Sequence, residues 1–75
     1  MNIYYTNNTL YINIEDRINF TLINHLQKKL YRIIETYHIN NIEIIISDDT
    51  HYDQSLIRDL VSDYKAKFNG HLIVK

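Results

Sequence analysis

The residues best placed to do chemistry lie in one stretch, "IEIIISDDTHYDQS", from Ile42 to Ser55. An apolar run there gives way to Asp48, Asp49, Thr50, His51, Tyr52 and Asp53 before a helix pattern resumes at Ser55 and Leu56. Carboxylates and a histidine at the carboxyl end of a strand can coordinate a divalent cation, since Asp oxygens suit Mg²⁺ or Ca²⁺. The same residues also make an ordinary strand-to-helix connection. Thr50 or Asp49 can accept the first free amides of the helix, and Asp53 in its first turn is favoured by the helix dipole. Thr50-x-x-Asp53 approximates a capping box with Asp in place of Glu. Capping is the reading the residues favour, and neither a metal nor a cofactor is expected.

No nucleophile and base are paired by spacing. His38 and His71 lie beside the ends of predicted elements with no partner residue in register, where a histidine usually meets solvent or caps. His25, Lys28, Lys29 and Arg32 recur at helical spacing and give the first helix a basic outer face. The second carries Asp53, Asp59 and Asp63 against Arg58, Lys65 and Lys67. Opposite polarity on neighbouring helices predicts ion pairs between them, each weak at a surface.

The elements that must position these residues are legible from periodicity. Ile3-Tyr4-Tyr5 and Leu10 to Ile14 read as two strands across Thr6-Asn7-Asn8-Thr9, where Asn-Asn can supply the positive φ angles of a hairpin turn. Leu10, Ile12 and Ile14 alternate with Tyr11, Asn13 and Glu15, as in a half-buried strand. Asn19 or Thr21 can cap a helix from about Phe20 to His38, whose buried stripe reads Ile23, Leu26, Leu30, Ile33, Ile34 and Tyr37. Asn40-Asn41 ends it, and Ile42 to Ile46 is a strand. Leu56, Ile57, Leu60, Val61, Tyr64 and Phe68 form a second stripe. Asn69-Gly70 closes that helix with glycine in the left-handed conformation, and His71 to Val74 is a last short strand.

The order β-β-α-β-α-β in 75 residues is one domain, spanning 1–75. With right-handed crossovers and the last three strands side by side in sequence order, both helices land on one face of a four-stranded mixed sheet. The prediction is an α/β two-layer sandwich. Tyr11, Asn13, Glu43, Ile45, His71 and Ile73 then face away from the helices, a mixture suited to water or to a partner.

Composition narrows the function. The hydrophobic share is 45%, with charged residues at 23% and a net charge of −1, which describes a folded domain and argues against general nucleic-acid binding. The chain has no cysteine, no proline and a single glycine, so disulfides, thiolate metal sites and Gly-rich phosphate loops are out of reach. No apolar run approaches the roughly 20 residues that span a bilayer. The N-terminal residues lack the pattern of a signal peptide, so a cytoplasmic address is expected. Heavy use of Ile, Asn and Tyr has the look of AT-rich coding, as in firmicutes, mollicutes, phages and large viruses.

The residues resemble the STAS domain of bacterial anti-sigma factor antagonists. "TLYINIEDRIN" looks like its opening strand and turn, "FTLINHLQKKLYRIIETYH" like its first helix and "NIEIIIS" like its next strand; "LIRDLVSDYKAKFNG" and "HLIV" follow in family order. Of the family's Asp-Ser-Ser-Gly-Leu motif, the aspartate falls on Asp53, the two serines on Gln54 and Ser55, and the glycine on Leu56. Its phosphorylatable serine is normally the first, where this chain has Gln54, which leaves Ser55 as the only candidate phosphosite. "IEDRIN" and "IEIIIS" also resemble the start of the Clp-protease and crotonase superfamily. There a Gly-rich turn forms an oxyanion hole, whereas Asp48-Asp49-Thr50-His51 puts negative charge in that place.

These readings lead to a small non-enzymatic interaction module that regulates a protein partner. The resemblance implies contact through Asp48, Asp49, Thr50, His51, Tyr52, Asp53 and Ser55. Self-association as a homodimer would use the uncovered sheet face around Tyr4, Tyr11, Ile45 and Ile73. The alternative is a phage- or virus-encoded inhibitor that presents the acidic loop to a host protein.

Overall fold

A computed structural model describes residues 1–75 and has the predicted order. Strands β1 (Asn2–Thr6) and β2 (Thr9–Ile14) precede helix α1 (Phe20–Tyr37), and β3 (Asn41–Ile46), α2 (Gln54–Lys67) and β4 (His71–Val74) complete the chain. The sheet runs β1-β2-β3-β4, with β1 antiparallel to β2 and the other neighbours parallel. The hairpin closes on Asn7 and Asn8 with φ of 52° and 60°. Asparagine reaches that region at lower cost than other side chains with a Cβ, which is how the turn forms without glycine.

Alternation along the central strands decides the layering. Leu10, Ile12 and Ile14 of β2 and Ile42, Ile44 and Ile46 of β3 are buried, while the residues between them are half-buried. Against the buried face pack Ile23, Leu26, Leu30 and Ile34 of α1 and Ile57, Leu60 and Tyr64 of α2. Ile18 and Ile39 close the ends of this cluster, which contains no charged residue. Both helices therefore cover one face, as two crossovers of the same hand between neighbouring strands require. The other face is the predicted row of Tyr11, Asn13, Glu43, Ile45, His71 and Ile73.

Three local expectations change. Asn19 caps α1 by accepting from the Leu22 amide at 2.9 Å, but the helix ends on His38 rather than on Asn40-Asn41. His38 takes the left-handed conformation (φ 55°, ψ 47°), and its N–H donates to the Ile34 carbonyl at 2.8 Å. Tyr37 leaves the buried stripe and is 70% exposed, because it sits at the rim of the layer beside Tyr5 of the edge strand β1. Gly70 does not have a positive φ. Its reason is space: a Cβ there would collide with the Tyr64 hydroxyl and sit 2.6 Å from the Asn40 carbonyl oxygen.

Between the helices, Tyr31 meets Phe68 edge-on at 5.0 Å, and Lys67 lies over the Tyr31 ring while pairing with Glu35 at 3.6 Å. This is the one interhelical ion pair. Asp63 instead accepts a long hydrogen bond from Gln27, and His25, Lys28, Lys29 and Arg32 stand exposed without a carboxylate partner.

Candidate functional site

The stretch after β3 is fixed by its own backbone. The Ser47 amide donates to the Ile14 carbonyl at 3.0 Å, continuing the parallel ladder one residue past the strand. The Thr50 amide then folds back onto the Ser47 carbonyl at 3.0 Å, and the Asp49 amide makes a longer contact with Ser47 Oγ at 3.4 Å. With these amides engaged inside the turn, they are not free to receive an oxyanion. Asp48, Asp49 and His51 project into solvent, Thr50 is half-buried, and Tyr52 is half-buried against the core.

The cap of α2 is Asp53, not Thr50 or Asp49. Its Oδ1 accepts from the Ser55 amide at 3.0 Å, and its carbonyl accepts from Leu56 at 3.1 Å. A capping box opening at Thr50 would start the helix at His51, but the chain is still irregular there and α2 begins at Gln54. The Ser55 amide, then its hydroxyl, and then the Arg58 charge hold the Asp53 carboxyl below the usual carboxylate range. A depressed folded pKa gives stability that is complete above the unfolded value near 3.8 and is lost as pH falls through the folded value. Asp53→Ala is therefore expected to lower the melting temperature at pH 7. The gap to the parent should close as melting is followed below pH ~3.8, and a gap unchanged through that range would contradict the cap's charge dependence.

The loop residues divide between two surfaces. Asp49, Thr50 and His51 share a polar hollow of about 420 Å³ with Glu15 and Arg17 from the β2–α1 connection. Sequence reading had not joined Glu15 and Arg17 to the site. The available signal was topological: connections that leave adjacent parallel strands emerge at the same end of the sheet. Tyr52 turns the other way, into a groove of about 590 Å³ between α2 and β4, with Ile57, Val61, Leu72 and Val74 lining it beside Arg58 and Lys65. Ser55 is half-buried, with its amide held by Asp53.

What the site can do follows from these placements. No three acidic or histidine side chains converge as ligands around one point, so Asp48, Asp49, His51 and Asp53 act as separate charges. Glu15 and Asp49 outnumber Arg17 at the hollow, and no Lys, Arg or His lies within ion-pair distance of Asp48 or Asp49. The end of the sheet is thus negative and pre-shaped.

On the uncovered face, Tyr4 and Tyr11 stack at 5.1 Å with an 18° interplanar angle. The register continues this row through Glu43 to Ile73. Glu43, only 14% exposed at its side chain, pairs with Lys75, and that contact raises the Lys75 ammonium above its usual range. Tyr4, Tyr11, Ile45 and Ile73 therefore share a face, but the half-buried Glu43 carboxylate separates the tyrosines from Ile73. Among known proteins, the chain matches no family model, no curated protein and no solved structure. No helix is long and apolar enough to cross a membrane.

Proposed function

We propose that this chain is a small, non-enzymatic, STAS-like interaction module that regulates a protein partner through the loop from Asp48 to Ser55. The observation that supports this most is the pairing of charge with order at that loop. Asp48 and Asp49 are exposed and form no ion pair, on a turn held by the Ser47 contacts and anchored by Tyr52 and the Asp53 cap. A charged surface that loses little conformational freedom on binding favours recognition, since less ordering cost offsets the contacts made. The partner is a protein with a basic patch, and the attraction chiefly sets encounter rate and specificity.

The test is quantitative cross-linking and co-purification from the cells that encode the chain. The parent and a Tyr11→Ser variant are expected to retain one common partner, and Asp48→Lys/Asp49→Lys to lose it at least about tenfold, as placing like charges at such a contact costs several kcal/mol. Equal recovery with the reversed charges would overturn the assignment of the loop. The inhibitor reading rests on the same two aspartates; a partner that nucleic acid displaces competitively would favour it over the regulatory one.

A further inference from the structure

The sheet has two open edges, and they are built differently. β4 is a short edge of four residues that begins with His71, and Lys75 carries charge to its end. β1 reads Asn-Ile-Tyr-Tyr-Thr, with no proline, no charged side chain and an unbroken register to β2. Exposed edges in natural proteins usually carry a charge, a proline or a bulge that discourages pairing. β1 carries none of these.

The hairpin sets which backbone groups that edge presents. A two-residue loop makes Thr6 and Thr9 a hydrogen-bonded pair, so along the register Tyr4–Tyr11 and Asn2–Asn13 are also hydrogen-bonded. The N–H and C=O groups of Ile3 and Tyr5 therefore point outward. Above them on the helix side lies a hollow of about 650 Å³ lined only by apolar and tyrosine side chains, among them Ile3, Tyr5, Ile33, Tyr37 and Ile39. Tyr5 and Tyr37 at its mouth are 53% and 70% exposed.

We propose that β1 is a dimerisation edge, on which two copies of this chain pair antiparallel about a two-fold axis at Tyr4. Ile3 of each copy then exchanges both backbone hydrogen bonds with Tyr5 of the other, and the two four-stranded sheets become one. Tyr4 meets its own copy at a non-hydrogen-bonded position, where Cα atoms lie about 4.5 Å apart. The Tyr4–Tyr11 stack thereby continues across the axis. On the helix side, Tyr5 and Tyr37 of both copies close over the paired hollows.

Charge and area identify the occupant. A two-fold axis sets a charge that lies on it against its own copy, so the residues at the axis itself are best neutral. β1 and the lining of the hollow meet that requirement. The basic face of α1 does not, and the centre of the uncovered sheet face would bury the Glu43–Lys75 pair. A charged partner would find nothing to pair with on this edge. With roughly 200 Å² per tyrosine, the exposed parts of Tyr4, Tyr5 and Tyr37 supply about 330 Å² per copy. Backbone and isoleucine surface add to the resulting total of about 660 Å² for two copies, which places the pair below the roughly 1,200 Å² of standard interfaces and among weak, reversible ones. The dimer is accordingly reversible, with its population set by concentration.

The chain has no cysteine, so single cysteines report proximity without background. Under mild oxidation, Tyr4→Cys is expected to give a disulfide-linked dimer, because about 4.5 Å between Cα atoms lies within disulfide reach. Ile73→Cys, comparably exposed on the same sheet face, should remain monomeric. In sedimentation equilibrium, Tyr5→Lys and Tyr37→Lys are each expected to weaken dimerisation at least about tenfold, with the circular dichroism of the parent retained. A parent that stays monomeric to 1 mM overturns the proposal. So does cross-linking at Ile73→Cys equal to that at Tyr4→Cys, which marks face-to-face association instead.

Discussion

Gly70→Ala is expected to destabilise the fold by about 2–3 kcal/mol, at the upper part of the range for overpacking a tight interior site. The added methyl would meet the Tyr64 hydroxyl and the Asn40 carbonyl oxygen, the latter at 2.6 Å. The carbonyl cannot retreat freely, because it accepts the His71 amide at 2.7 Å at the start of β4. Tyr64 is fully buried, and its hydroxyl has no hydrogen-bond partner within the protein. Burial also pushes its ionisation above the usual tyrosine range. Tyr64→Phe alone should then raise stability by about 1 kcal/mol, since an unsatisfied buried hydroxyl carries a desolvation cost of that order. In the Tyr64→Phe/Gly70→Ala double variant, one of the two collisions is gone, and part of the loss from Gly70→Ala should return. Denaturant midpoints for the four proteins measure this coupling directly. Strict additivity would show that the two residues do not contend for the same space.

Leu30→Ala is expected to have the larger effect still, a loss of about 2–5 kcal/mol. Leu30 is completely buried, on the α1 stripe that faces β2 and β3. Domains are stable by roughly 0.05–0.15 kcal/mol per residue, or about 4–11 kcal/mol for a chain of this length. Neither disulfide nor alternative core is present to offset the cavity. A small domain shifts about 4–8 °C per kcal/mol, so the melting temperature should fall by at least about 10 °C. Phe20→Ala is the contrast: Phe20 is as apolar but 74% exposed, and its replacement should move the transition little. Equal losses at the two positions would contradict the assignment of the buried stripe.

The architecture was legible because the sequence repeats its message. Leu10, Ile12 and Ile14 alternate, Ile23, Leu26, Leu30 and Ile34 follow the helical period, and two asparagines mark the turn between apolar strands. The crossover rule then leaves few ways to assemble them. What was not legible depends on distances between residues far apart in the chain. Glycine after a helix ordinarily signals a left-handed cap, yet Gly70 answers to Tyr64 and Asn40, and His38 takes the left-handed position at the other helix. Asp49, Thr50 and Asp53 are all competent caps, and the choice among them rests on how far Ser47 extends along Ile14 before the chain turns. The loop's acidic character was visible; its division between the Arg17 hollow and the Tyr52 groove was not, because it depends on which connections share an end of the sheet.

The parallel ladders also govern how the chain must assemble in time. Only β1 and β2 are joined by a short loop, and such hairpins close within about 1–10 μs, but two strands alone are marginal in water. β3 must travel around the whole of α1 to pair with β2, and β4 around α2 to pair with β3. Each step closes a long loop before its contacts can compensate the lost entropy. With no proline and no cysteine in the chain, neither prolyl isomerisation nor disulfide exchange adds a slow phase, and the long loops closed by the parallel pairings are the remaining topological cost.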